Sequence, residues 1–365
     1  MGDFKVDFLD AYGYNKCMNL LKGVGEFFAL DIGTNSVRAI QLIGDIQHGW
    51  TLQKFAYIPI ESGLAENQSE LGRRKFQDTV KKALMQAGIK TKNVAVGLPA
   101  TKTFTTVIDV ANGPEKEVRS IVKYELDKYI PMAIEEAKAD FTLLGISPND
   151  PAKVEVLISS TANKFAEEKL KDIEDLGLNV IAFEPESLAM TRALAPVGSS
   201  DAHLIVDMGE KSADIVMIYK GAPRLVRSIP GGFEGMAKTT ATALSINEDQ
   251  ARQFILKFGL AQDKVDGQVF RALDATLDGF TTELTKSVKF FQSKYLNIKV
   301  GGIVLSGYTD MIPFISEYIE AKTNIVTSHG NPWQLVRVTP EQQQALQSVA
   351  SEFSVAIGLA ERSNL

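Results

Sequence analysis

The chain has 365 residues, 45% of them hydrophobic and 23% charged, and a formal net charge of -6. It is too long for one compact core, ordinary in composition for a soluble globular protein, and has no basic tract of the kind that binding along a nucleic-acid backbone needs. A single cysteine, Cys17, excludes an internal disulfide and points to the reducing cytoplasm, while three scattered histidines (His48, His203 and His329) exclude a Cys/His zinc cluster. No apolar run approaches the roughly 18 residues of a membrane-spanning helix, and the N-terminus lacks the pattern of a signal peptide. Met-Gly opens the chain, but Val6 breaks the myristoylation pattern.

Residues 1–26 form a distinct leader in which Phe4, Phe8, Leu9 and Tyr12 fall on one helical face, with Asp3, Lys5, Asp7 and Asp10 around them. It reads either as a loose leader ahead of an internal start at Met18 or as a partner-docking helix. A first domain follows over 27–93: "FFALDIGTNSVRAI" is strand, hairpin and strand, "GWTLQKFAYIPI" a third strand, and "SELGRRKFQDTVKKALMQAGI" a helix ending at Gly88. Residues 94–182 read as an inserted β-α-β-β-α subdomain, with a helix that carries Pro114 in its first turn and stops before Pro131. The first domain resumes over 183–203 and takes in the last helix, 350–365.

The second domain, 204–349, opens with "HLIVDMGEKSADIVMIYKGAPRLVRSI". Laid beside the first hairpin, Asp207 falls on Asp31, Gly209 on Gly33 and Ser212 on Ser36, all at one offset. This weak internal duplication predicts two related domains, each with a phosphate-sized loop. Further on, Ser245 and Glu248 read as a capping box. Phe280, Leu284, Val288, Phe291 and Tyr295 step along one helix face as core. "GGIVLSGYTDMIPFISEYIEAKT" reads as strand, glycine turn and helix.

A plain hairpin turn needs only glycine and asparagine, so the surplus of small polar residues in "DIGTNS" points to a ligand. The amides and hydroxyls of Thr34, Asn35 and Ser36 suit phosphate oxygens, and Asp31 and Asp207 suit the water shell of a magnesium ion. Trp50 and Trp333 read as packing residues.

The order of "DIGTNSVRAIQL", "EPESLAMTRA", "IVDMGEKSADIVMI", "IPGGFEGMAK", "VLSGYTDMIP" and "SVAIGLAER" resembles the actin-like ATPase fold, an α/β, ribonuclease H-like two-domain architecture. The 94–182 block sits where FtsA and its relatives carry an inserted subdomain. More closely, "YELDKYIPMAIEEAKADFTLLGISPNDPAKVEVLISSTA", "SVKFFQSKY" and "NPWQLVRV" resemble the PilM family of type IV pilus assembly, over essentially Phe27 to Arg362. The resemblance implies a cytoplasmic scaffold, peripheral at the inner membrane through its partners. Such proteins bind ATP between two domains, hold the cytoplasmic N-terminal peptide of a PilN-like inner-membrane protein, and link that assembly to the pilus motor ATPase.

Carried over residue by residue, the resemblance assigns Asp31, Gly33, Thr34, Asn35 and Ser36 to the first phosphate loop, with Arg38 as the nearby cation where the family usually has lysine. Glu186 matches the acid of the connecting helix, or Glu184 in a chaperone-based alignment. Asp207, Gly209, Lys211 and Ser212 match the second loop, Gly231 and Gly232 the ribose-side element, and Gly307 with Tyr308 the adenosine loop. Asp31 and Asp207 would hold magnesium through water, and Asp207 and Glu186 are the candidates for any catalytic role.

The resemblance implies ATP binding, and three departures from the pattern count against nucleotide affinity and, more strongly, against hydrolysis, which is expected to be weak or absent. Glu210 adds a carboxylate to the second loop, which the metal or Lys211 would have to neutralise. A single Gly307 replaces a glycine pair. Arg252 and Ile255 stand where the family's nucleoside-reaching glutamate and lysine fall. The alternatives are a nucleotide-free adaptor with the same partner, an FtsA-like cell-division tether, and a small-molecule kinase. A tether is expected to end in an amphipathic membrane helix, whereas this chain ends "GLAERSNL"; a kinase needs a substrate constellation beside Asp207, and none is apparent.

Overall fold

The computed structural model describes residues 25–45, 48–67 and 69–362. The expected leader lies outside the described residues up to position 24. In chain order the elements are β1 (Phe28–Ile32), β2 (Ser36–Asp45), β3 (Gly49–Pro59), α1 (Glu70–Ala87), β4 (Asn93–Leu98), β5 (Thr103–Ala111), α2 (Glu115–Glu125), β6 (Ala137–Ile146), β7 (Lys153–Ala162), α3 (Asn163–Glu174), β8 (Asn179–Pro185) and α4 (Glu186–Leu194). There follow β9 (Ala202–Met208), β10 (Ser212–Tyr219), β11 (Ala222–Pro230), α5 (Gly232–Leu244), α6 (Glu248–Phe258), α7 (Gln268–Lys294), β12 (Val300–Gly307), α8 (Ile315–Thr323), β13 (Thr327–His329), β14 (Val336–Arg337), α9 (Pro340–Leu346) and α10 (Ser354–Ala360).

These divide into two compact units. Unit 1 comprises the described residues up to Ala193, Gly221–Pro223, and those from Pro332 onward; unit 2 is Leu194–Lys220 with Arg224–Asn331. Unit 1 is built on a six-stranded sheet in the order β14-β3-β2-β1-β4-β8. Strand β1 is buried at all five positions, as a continuous apolar run interrupted by one aspartate requires of a strand covered on both faces. It pairs antiparallel with β2 and parallel with β4.

A separate three-stranded sheet, β5-β7-β6, has its own core, in which Val118 and Val122 of α2 pack on Val110, Phe141 and Val156. The expected insert boundaries at 94 and 182 therefore need correction, because β4 and β8 inside them pair with each other in the large sheet. Two strands, not one, come from "NVAVGLPATKTFTTVIDV": a 3-10 turn over Ala100–Lys102 carries the chain from one sheet to the other. Residues 332–349, expected in the second domain, belong to unit 1, where Val336 is buried and pairs with Trp50 on the sheet edge.

Unit 2 is a five-stranded sheet in the order β11-β10-β9-β12-β13. The predicted stripe, Phe280, Leu284, Val288 and Phe291 on α7 with Tyr295 capping its end, is buried in its core. The capping box ahead of α6 is formed by Asn247 and Gln250 rather than Ser245 and Glu248. Ser245 has φ 54° and ends α5 in the left-handed region, so its side chain is not placed to start the next helix.

Helix α10 is buried along its whole length and packs on β1, β2 and β4. Gly358 lets it approach α4 so closely that a β-carbon there would stand 1.8 Å from the Ala189 carbonyl oxygen. Arg192 of α4 also donates to the Gly358 carbonyl. A methyl at this point must force the two helices apart. Gly358→Ala is therefore expected to destabilise unit 1 by about 3 kcal/mol, at the severe end of overpacking; urea denaturation followed by tryptophan emission checks it, and an unchanged midpoint would refute the close contact.

Candidate functional site

The first hairpin is closed by the Gly33 amide donating to the Ser36 carbonyl at 3.0 Å, which leaves Thr34 and Asn35 as the two loop residues. The Asn35 carbonyl accepts from the Ile60 amide at 2.8 Å, tying the loop to the end of β3. In this register Asp31 and Arg38 are direct cross-strand partners. Arg38 Nε stands 2.9 Å from Asp31 Oδ2, and Asp31 is only 2% exposed. Gly33 makes room for this guanidinium, since a β-carbon there would meet it at 2.3 Å. Burial works against the charge on Arg38, but Asp31, Glu352 and Glu186 together outweigh it and hold its pKa above the ordinary value.

The two candidate acids of the connecting segment differ in kind. Glu184 is fully buried and clamped by Arg192 at 2.6 Å and Arg362 at 2.8 Å, so it holds α4 and the C-terminal segment together. Glu186 opens α4, is half-buried over Gly97, and exerts its charge on Arg38 and Lys169. Of these two, Glu186 is the one whose charge reaches the first hairpin.

The second hairpin repeats the design in unit 2. The Gly209 amide donates to the Ser212 carbonyl at 2.8 Å, and Glu210 and Lys211 form the loop. Its carbonyls then take up the start of α5: Gly231 donates to Lys211, Phe233 to Gly209 and Glu234 to Glu210, at 2.9, 3.0 and 2.9 Å. Gly232 is required by this junction, because a β-carbon would lie 2.5 Å from the Glu210 oxygen and 2.6 Å from the Ser212 nitrogen. Gly231 and Gly232 thus fasten helix to hairpin. The amides of Phe233 and Glu234, which a helix start would offer to an anion, are already used.

Glu210 is held by Arg252 of α6, whose two terminal nitrogens grip its two oxygens. The hydrogen bond to Glu210 is the main cause of the raised pKa of Arg252. Its guanidinium carbon lies 5.3 Å from the centre of the Phe233 ring, and Tyr308 stacks on the same ring at 4.1 Å and 4° between planes. Tyr308 is therefore engaged with Phe233. Ile255, the other departure, is fully buried core. Gly307 is required where β12 ends beside β9, since a β-carbon would stand 2.4 Å from the Met208 carbonyl and 2.9 Å from Asp207 Oδ1.

Asp214, which sequence reasoning missed, is the cross-strand partner of Asp207. The signal was its spacing: it stands as far after Asp207 as Arg38 does after Asp31. Among the described residues its buried Oδ1 has no hydrogen-bond partner. Burial pushes its pKa up to about 7, the Ser228 hydroxyl opposing and the charge of Asp207 adding to the rise.

Asp207 and Asp214 are a donor set that fits a magnesium polyphosphate. Magnesium is held by one or two carboxylates together with phosphate oxygens. Asp207 and Asp214 supply adjacent carboxylates, and Oδ1 of Asp214 has no hydrogen-bond partner among the described residues. No cluster of three or more His, Cys, Asp or Glu side chains occurs among the described residues, so the remaining ligands would have to be phosphate and water.

An acid whose folded-state pKa is raised favours the fold fully only below its unfolded value. Unit 2 therefore loses stability, at most about 4 kcal/mol, as pH rises from about 4 to about 7. Glu361, pushed up to about 8 chiefly by burial, adds a fall of the same sign in unit 1. Asp214→Asn is expected to remove its share, seen as protection of β9 and β10 amides from hydrogen exchange that no longer declines over that range relative to the parent chain.

Residues 29–364 match the family described as type IV pilus assembly protein PilM. Among solved structures, the PilM-PilN type IV pilus biogenesis complex aligns with a TM-score of 0.76 at 21% identity, over 92% of this chain and 98% of the other. The ethanolamine utilization protein EutJ from Carboxydothermus hydrogenoformans aligns with a TM-score of 0.53 at 13% identity, over 92% and 89% of the two chains. MreB5 of Spiroplasma citri bound to ADP gives 0.51 at 14%, over 91% and 94%. The fold is thus the actin-like α/β fold, and with the match extending over nearly all of its length the chain belongs to the type IV pilus assembly protein PilM family.

Proposed function

We propose that this protein is an actin-like scaffold of type IV pilus assembly that binds the cytoplasmic N-terminal peptide of a PilN-like inner-membrane protein and links that protein to the pilus motor ATPase. The observation that carries this reading is the family match together with the likeness to the PilM-PilN structure over 98% of its aligned chain. Among the described residues no helix is long and apolar enough to cross a membrane, so such a partner would supply the attachment. The protein then sits at the cytoplasmic face of the inner membrane. Titrating a labelled N-terminal peptide of the PilN-like protein encoded by the same organism should give saturable binding, and a scrambled peptide should give none. Equal signals from the two peptides would refute the reading.

The same scaffold binds magnesium ATP without appreciable turnover. Support comes, within unit 2, from the paired acids Asp207 and Asp214, the cation Lys211 and the glycines at 209, 232 and 307, and, within unit 1 taken by itself, from the cation Arg38 on the first hairpin. Magnesium would supply charge neutralisation for the phosphates; the residues on this chain position them. Calorimetric titration with magnesium ATP is expected to show binding that Asp207→Ala weakens at least tenfold, with negligible release of inorganic phosphate. A nucleotide-free adaptor is the second reading, favoured by the internal pairing of Asp31 with Arg38, Glu210 with Arg252 and Tyr308 with Phe233. Absence of any heat of binding would decide for it.

A further inference from the structure

Ser36 and Arg38 point to one face of β2, and Tyr57 of β3 stands directly across from Arg38. The 3-10 turn Ala350–Phe353 lays Glu352 against all three. The Tyr57 hydroxyl donates to both carboxylate oxygens of Glu352 at 3.0 and 3.1 Å, and Ser36 Oγ donates to Oε2 at 3.4 Å. Arg38 Nη1 donates to the Glu352 carbonyl at 2.9 Å and lies 3.5 Å from Oε2. Two hydroxyls and a guanidinium converging on one point are what an oxyanion site offers. Here a side chain of the protein itself fills it.

The turn is held from the other side. Phe353 is fully buried, with Trp333, Phe55 and Tyr57 at ring-centre distances of 5.6, 6.2 and 6.4 Å, and Trp333 Nε1 donates to the Ala350 carbonyl at 3.0 Å. The side chain of Glu352, by contrast, is 25% exposed. It can leave the site by rotating outward while Phe353 keeps the turn in place. The local charge balance also matters: three carboxylates, Asp31, Glu352 and Glu186, act on Arg38, with Lys169 near Glu186 as a second cation. An arriving phosphate therefore meets a surplus of negative charge until Glu352 withdraws.

We propose that Glu352 is a resident pseudo-ligand of the first hairpin, occupying the donors of Ser36, Arg38 and Tyr57 so that the phosphate group of a nucleotide engages them only by displacing it. The proposal rests on the nucleotide-binding reading above and assigns this residue the task of setting the affinity. It also gives Tyr57 a part, as the donor that holds the carboxylate in the closed position.

Glu352→Gln keeps an oxygen for both hydroxyls and removes the charge, so the turn should remain folded. Magnesium ATP is the probe, titrated calorimetrically into the full chain and into Glu352→Gln. The variant is expected to bind roughly tenfold more tightly. Spectrophotometric titration of Tyr57, by difference from Tyr57→Phe, verifies the site independently: its ionisation, held high by burial and by Glu352, should fall toward the ordinary tyrosine value in the variant. Equal affinities would overturn the pseudo-ligand and leave nucleotide binding intact. Weaker binding by the variant would overturn it too, making Glu352 a nucleotide-holding residue instead. No binding by either form would end both readings together.

Discussion

The two Asp-x-Gly hairpins depend on one constraint, the register at which each closes. A glycine amide bonded to the serine carbonyl three residues on leaves two residues in the loop, and this fixes which side chains face each other along the flanking strands. With that register set, Asp31 meets Arg38 in unit 1 and Asp207 meets Asp214 in unit 2. The same geometry thus carries an opposite charge in one unit and a like charge in the other. The first hairpin is neutralised from within, whereas the second retains an acid that burial keeps partly protonated near neutrality. A slip of one residue in β2 would turn Arg38 to the opposite face and strand Asp31 in the sheet core, with a cost of about 3–5 kcal/mol for the broken buried pair.

Each hairpin is also fastened to a more distant element, in different ways. In unit 2 the fastening is backbone to backbone: three amides at the start of α5 bond to carbonyls of the loop, and Gly232 permits the contact. Arg252 then holds the loop carboxylate and Phe233 of that helix at once. In unit 1 a single backbone bond, from the Ile60 amide to the Asn35 carbonyl, is joined by side-chain contacts through Glu352 to Ser36, Arg38 and Tyr57. Backbone ladders are rigid, while a side chain can change rotamer within nanoseconds. The first hairpin, with one backbone tie against three in the second, is accordingly the more adjustable of the two.

Much of this was legible in the sequence because it is local. Strand, turn and glycine spacing gave both hairpins, their common offset and the core stripe of α7. Burial of β1 followed from its apolar run. Long-range choices were not legible. Glu352 lies 316 residues from Ser36, and no periodicity connects them. Arg252 departs from the family pattern, and so does its partner Glu210; each answers the other. The capping box went to Ser245 because its spacing to Glu248 is also that of a box, and only the left-handed backbone at Ser245 removes it. The insert boundary was misplaced because β4 and β5 follow one another with the same alternating character, and nothing local says that the chain changes sheets between them.

The packing around Phe353 has a spectroscopic consequence. The chain contains two tryptophans, and both lie in unit 1: Trp50 buried in β3, and Trp333 bonded to the turn that carries Glu352. Intrinsic tryptophan emission is therefore silent about unit 2. It reports the interior of the large sheet through one indole and the seating of a single 3-10 turn through the other, so a Trp50→Phe chain would carry one native fluorophore, bonded to the turn that bears the first hairpin's counter-anion.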